Sequence, residues 1–427
     1  MSSAAVAVRD STPPGSNTLG ILGILAKSAA GQSNQRVTLL RAAQRLLFDP
    51  ESGPHQQART VWCGRIVLGE SVRVLRSVDG SGARTGGLHT CGSVWACPVC
   101  SRKVSEVRRA ELLAGMATWR AASDLNRVQL LTLTFPHDAG QALPDLLERF
   151  GLALRKFKAG AVWRKFSAEH SRAGSVRSLE VTHGANGWHP HSHELVFLRA
   201  LPSDWWRAEL AAAWLRCLKA AGLDGAADAH ILEHGLDLRG GDYAAEYVSK
   251  FGRDLEGWSV ADELTRGHSK IGARSAGAVS RAALDVHVTP FQLLAWWQAG
   301  DVEAGALFRE YARAFEGKRM LFWSPKLRQV LGVADLDDAE IAARLGRTEP
   351  LPDESPVGSL TPQQWAVIVS RGAQCDLLEL AAMLDDPCAE HRQACLDEFV
   401  TLQTGKVPLH SRRVRYRPWR SSSLYDL

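Results

Sequence analysis

The sequence predicts an α+β protein with antiparallel strand pairing, on three observations. Two apolar runs of strand composition, residues 176–182 and 191–198, flank Gly184-Ala185-Asn186-Gly187, whose residues tolerate positive φ and suit a hairpin connection. Segments of helical period, residues 143–158 and 205–221, precede and follow that pair. The chain has 427 residues, 45% of them hydrophobic, enough for two or three domains and a substantial core. Periodicity supports the class and leaves strand order open.

Residues 1–55 read as a flexible N-terminal segment, because their first part is rich in Ser, Ala, Gly and Pro. The apolar stretch 19–26 is far short of the roughly 20 residues a bilayer-spanning helix needs. With no secretory signal recognisable, the protein is expected in the cytoplasm, without a membrane partner.

Residues 56–125 form a zinc-binding segment. Cys91, Cys97 and Cys100 supply three thiols at the tight spacing of a zinc knuckle, and Cys63 or His89 completes a tetrahedron, Cys63 being preferred. Cys217, Cys375, Cys388 and Cys395 are scattered, which argues for metal rather than a disulfide framework. A helix running from Ser101 to about Trp119 presents Arg102, Lys103, Arg108 and Arg109, a basic face suited either to phosphates or to solvent.

The third segment, residues 126–254, holds the chemistry. His191 and His193 stand two apart on a strand and share a face, with His189 in a position to join them. Glu180, in the middle of the neighbouring run, is the natural third ligand. Two imidazoles and a carboxylate with open positions suit a catalytic Mg2+ or Mn2+ ion. After a strand expected at 230–233, Tyr243, Tyr247 and Lys250 fall at i, i+4 and i+7 and line one stripe of a helix that Asp242 caps. The bland reading of that stripe is tyrosines packed on a sheet; next to a metal site, an activated phenol and an ammonium can cleave a phosphodiester.

Residues 255–333 read as a helical cover, with helices from Thr289-Pro290 through Trp297 and over 304–316. Residues 334–427 read as a helical accessory region with a basic tail: helices at 338–345, 361–370 and 375–384, divided by the Pro-rich stretch 350–356. The helices about Arg371-Gly372-Ala373 could form a helix-turn-helix, although a packing or dimerisation bundle is the stronger reading. The net charge is only +5, so any nucleic-acid surface must be local. Two runs interleave cations with rings as single-strand binders do: Arg155-Lys156-Phe157-Lys158 with Trp163-Arg164-Lys165-Phe166, and residues 412–420.

These motifs in this order resemble rolling-circle replication initiator (Rep) proteins of the HUH endonuclease superfamily, in particular those of actinobacterial plasmids. The likeness rests on Leu131-Thr132-Leu133-Thr134, His191-Ser192-His193 and Tyr247-Val248-Ser249-Lys250, with Cys91 to Cys100, Thr289 to Leu294 and Phe322 to Arg328 beside them. It extends from about Arg59 to Val333. The resemblance implies an antiparallel five-stranded sheet backed by helices, with the histidines on a central strand. It also implies Tyr247 as nucleophile, His191, His193 and Glu180 as metal ligands, and Lys250 as the phosphate-side partner.

Tyr243 stands where some relatives carry a glutamate that activates water, so termination could use Tyr243, or water activated by Glu246 or Asp242. Ser192 departs from the bulky apolar residue usual between the histidines. No Walker-type loop is present, which assigns unwinding to a host helicase; single-strand-binding protein, polymerase and single-stranded or melted origin DNA are the other expected partners, and a homodimer is admitted. The competing readings are a two-tyrosine HUH transposase and a non-catalytic zinc-dependent DNA-binding regulator, a conjugative relaxase being disfavoured by motif order.

Overall fold

The structure is a computed structural model that describes residues 36–240, 287–347, 349–350 and 352–405. Its first element is a helix, α1, over residues 36–47. A flexible start was expected to reach residue 55, but Leu39, Ala42, Ala43 and Leu46 are buried in the main core, and that apolar stripe holds the helix in place. Strands β1 (Val72–Ser77) and β2 (Ala83–Gly86) follow, then helix α2 (Pro98–Ala121). The central unit contains β3 (Arg127–Leu133), α3 (Leu143–Ala159), α4 (Ala161–Glu169), β4 (Gly174–Gly184), β5 (Gly187–Leu198), α5 (Trp205–Lys219), α6 (Asp228–His234) and β6 (Leu236–Arg239).

Residues 230–233, expected as a strand, lie in α6. Only Ile231 of that helix is buried, and the pairing positions fall instead on the alternating Leu236 and Leu238. Past the undescribed stretch come α7 (Pro290–Gln298), α8 (Val302–Ala314), β7 (Leu321–Trp323), α9 (Leu327–Val330), α10 (Asp338–Leu345), β8 (Glu354–Leu360), α11 (Pro362–Arg371), α12 (Gln374–Met383) and α13 (Ala389–Thr404).

The five-stranded sheet has the order β6-β3-β5-β4-β7 and every pairing in it is antiparallel, as expected, with β5 at its centre. The β4–β5 hairpin turns through Ala185-Asn186, with Gly184 paired to Gly187. Gly187 has φ +79°, and a Cβ there would lie 2.9 Å from the Ala139 Cα, so only glycine fits. Alternation then sorts β5 between two faces. Trp188, Val196 and Leu198 enter the core that also buries residues of α3, α4 and α5. Ser192 points the same way and is fully buried. On the other face Leu195 and Phe197 pack in a cluster with Leu112, Met116 and Trp119 of α2, where the Trp119 ring meets Phe197 edge-on at 5.9 Å. That apolar cover does not extend to the first half of β5, so His189, His191 and His193 remain only partly buried.

A second sheet, β2-β1-β8, ties residues 72–86 to the accessory region. Residues 350–356, expected only as a break between helices, run into β8, which pairs with β1 from Val72–Leu360 to Ser77–Glu354. β8 is an edge strand in this sheet, the setting in which Pro356 can replace a ladder donor. Ion pairs Arg84–Glu354 at 2.6 Å and Arg76–Asp385 at 2.6 Å reinforce the seam. The accessory region is therefore not purely helical. Helices α11 and α12 meet at Gly372, but Trp365, Ile368, Leu377 and Ala381 bury their facing sides in the core beneath this sheet. The exposed side of α12 carries Asp376 and Glu379, which would repel phosphates, so packing is the role these helices display. No helix among the described residues is long and apolar enough to cross a membrane.

Candidate metal centres

Cross-strand register builds the first centre. Glu180 pairs with His191 across the hairpin, and His193 pairs with Ser178 on one side and Thr132 on the other. Period two then sends Glu180, His191 and His193 to the same face as Leu195 and Phe197, on the part of it that α2 leaves uncovered. Glu180 Oε2 lies 3.3 Å from His191 Nε2 and 3.5 Å from His193 Nε2, and the three ligand atoms fall within 4.8 Å of one another. Atoms so spaced can all reach one ion at the usual bond length of about 2.0–2.2 Å.

The partners of these side chains favour ligation. Thr132 Oγ1 sits 2.9 Å from His193 Nδ1, and the backbone carbonyl of His189 accepts from His191 Nδ1 at 3.4 Å. A carbonyl can only accept, so His191 donates from Nδ1, and Nε2 is the ring nitrogen that faces Glu180 and would hold an ion. Burial pushes the Glu180 carboxyl up, but hydrogen bonds and charge from His191 and His193 outweigh it and hold the group well below the usual carboxylate range.

His189 is on the same face but outside the group of convergent ligand atoms. Its Nε2 lies 3.2 Å from Thr134 Oγ1 and its Nδ1 2.8 Å from His137 Nε2. Burial, then the nearby His191, His137 and His287, lower its pKa to about 4, so it stays neutral. Thr132 and His137 were not singled out from the sequence as site residues. The signal for Thr132 was its register opposite His193, which no local pattern displays.

The second centre is four-sulfur. Cys63, Cys91, Cys97 and Cys100 are all buried and converge, with Sγ separations of 3.6 Å (Cys63–Cys100), 3.7 Å (Cys91–Cys100) and 3.7 Å (Cys63–Cys97). A tetrahedron with zinc–sulfur bonds of about 2.3 Å has edges of about 3.8 Å, so the donors fit that ion. Backbone amides already point at the sulfurs, as a thiolate shell requires: Cys100 N donates to Cys97 Sγ at 3.3 Å, and Ser93 N to Cys91 Sγ at 3.5 Å. Cys97 caps α2, which places Cys100 one turn along. Gln44 of α1 braces the site by donating to the Cys63 carbonyl at 2.7 Å. His89 is not in the sulfur group.

The basic features are largely structural. In the first aromatic-basic run Phe157, Trp163 and Phe166 are buried at 3% exposure or less, so these rings are core and not stacking platforms. On α2, Arg102 and Arg109 both pair with Glu106, while buried Arg108 pairs with Glu111 at 2.8 Å and with Asp338 of α10 at 2.7 Å. Tyr243, Tyr247, Lys250, Glu246, Asp242 and the run 412–420 lie outside the described residues.

The fold and its two ligand clusters thus define an α+β protein with a histidine–carboxylate centre on a five-stranded sheet and a thiol centre at the start of α2. Residues 86–209, which contain Cys91, Cys97, Cys100, Glu180, His191 and His193, match the model of the replication protein family, Rep_1. That match supports the resemblance to Rep initiators over this part of the chain. It is 25% identical over 346 residues to protein rep of Streptomyces lividans, covering 62% of this chain and 71% of that one. It is also 31% identical over 137 residues to a protein named neomycin resistance protein from Streptomyces cyanogenus, covering 26% of this chain and 31% of that one. No solved structure matches.

Proposed function

We propose that the protein initiates rolling-circle replication of a plasmid by nicking origin DNA through a tyrosine. The convergence of Glu180, His191 and His193 on one open face, inside a replication-protein domain, carries this reading. Those three side chains would hold Mg2+ or Mn2+, which supplies polarisation of the scissile phosphate. Thr132 and the His189 carbonyl keep the imidazoles oriented for that task.

Tyr247 is assigned as nucleophile. Its phenolic oxygen forms the new bond to phosphorus as the bond to the 3′ oxygen breaks, giving a 5′-phosphotyrosyl link and a 3′-hydroxyl primer, with Lys250 offsetting charge on the phosphoryl oxygens. Chain length allows the encounter: Tyr247 is eight residues beyond Arg239 at the end of β6, a reach of up to roughly 28 Å. The strands β6 and β5 are separated by β3 alone, on the order of 10 Å. At termination the second cleavage, by Tyr243 or by a water activated by Glu246 or Asp242, frees the 3′-hydroxyl of the displaced strand; that hydroxyl attacks the phosphotyrosine, the phosphorus–oxygen bond to Tyr247 breaks, and the strand closes without ATP. Zinc in the four-thiol site would have a structural part, fastening α1 and the loop 87–96 to the start of α2.

The test is covalent capture. Incubation with an origin stem-loop oligonucleotide and Mn2+ should give a denaturant-resistant adduct that mass spectrometry locates on Tyr247. Normal capture by Tyr247→Phe would refute the assignment.

A further inference from the structure

The sheet face opposite His191 and His193 carries a second polar concavity. Where the three-residue β7 borders β4, helices α3 and α4 leave a cavity of about 600 Å³, a volume within the range of small-ligand sites. Its walls bear four cations, Lys158, Arg164, Arg172 and Arg177, against one carboxylate, Glu194. Lys158 Nζ lies 2.7 Å from Glu194 Oε2, which accounts for one cation. Arg172 reaches Ser167 Oγ at 3.1 Å and Ser175 Oγ at 3.4 Å, both neutral groups, and Arg164 is exposed, without an ion-pair partner among the described residues.

The Arg177 guanidinium lies 4.9 Å from the centroid of Phe322, and its Nε is buried with no hydrogen-bond partner. An unmet buried donor is costly and calls for an acceptor. Burial lowers both Lys158, to about 8, and Arg177, and the Glu194 charge partly restores them. Three unmatched positive charges, the orphaned Arg177 donor and the half-buried Phe322 ring together match an oxyanion attached to a planar group. Guanidinium forks bind phosphate oxygens in pairs, and aromatic faces accept a base.

We infer that this cavity is a phosphate-binding site for a nucleotide, with Arg164, Arg172 and Arg177 as donors. The phosphate belongs either to a single DNA strand passing the sheet edge or to a free nucleotide. The assignment does not depend on the nicking chemistry.

Isothermal titration of the full chain, without added divalent ions, against dATP, inorganic pyrophosphate and a nine-nucleotide oligo(dT) tests it. Removing charge-assisted hydrogen bonds in Arg164→Gln/Arg177→Gln should weaken binding roughly tenfold or more. Arg73→Gln, which alters an exposed cation on β1 of the other sheet, should leave it unchanged. Weakening for dATP and pyrophosphate identifies a free nucleotide, and weakening for the oligonucleotide alone identifies the strand. Arg164→Gln by itself alters an exposed side chain and should still show a loss of about threefold or more if the double variant does not fold. Equal affinity of every probe for wild type and the Arg164 variant, or no binding of any probe to the wild type, overturns the proposal.

Discussion

Glu180 and His191 are direct cross-strand partners in the β4–β5 hairpin, and Oε2 of the first lies 3.3 Å from Nε2 of the second. Removing the carboxylate should disassemble the centre without disturbing the core, because this face is open. Glu180→Ala is expected to reduce Mn2+-dependent cleavage by about a hundredfold or more, while the circular dichroism spectrum stays that of wild type. Thr132→Val, which keeps shape but loses the contact to His193 Nδ1, should raise the Mn2+ concentration for half-maximal cleavage by about 10–100-fold.

The thiol centre predicts one zinc per chain. Cys63→Ser should lose that zinc in elemental analysis and lower the thermal midpoint, whereas His89→Ala should retain it, since His89 is outside the sulfur group. Full zinc content in Cys63→Ser would remove Cys63 from the ligand set.

Arg108 fastens α2 to α10 through a buried pair, its side chain 3% exposed against 14% for Asp338. Arg108→Met leaves Asp338 and Glu111 facing each other without their cation, and should cost about 3 kcal/mol in urea unfolding. A cost near zero would mean that solvent reaches the pair.

Acid sensitivity should trace in part to His189. Its folded pKa, about 4, is below the free value of 6.5, so the unfolded chain takes up a proton first. The stabilisation from neutral His189 is complete above pH 6.5 and is lost as pH falls toward 4. His137 is lowered too, chiefly by burial, and acts in the same sense. Thermal midpoints of the metal-free protein should therefore decline from pH 6.5 to 4.5, less steeply in His189→Asn. Parallel curves for the two proteins would exclude this origin.

Local patterns reached far into this molecule. Glycine and asparagine marked the hairpin that closes at Gly187, helical period marked α3 and α5, and the spacing of Cys91, Cys97 and Cys100 marked a thiol centre, because each is set by residues adjacent in sequence. Long-range pairings were illegible for the converse reason. Nothing near Pro356 announces an edge strand whose partner is Leu75, and nothing near Phe157 or Trp163 separates a nucleic-acid platform from a core wall. The chain by itself determined which histidines, cysteines and carboxylates were available to bind metal. Only the tertiary structure decided which of them meet: antiparallel register set Glu180 beside His191 and His193, left His189 to Thr134 and His137, and opened a cationic cavity on the far side of the same sheet.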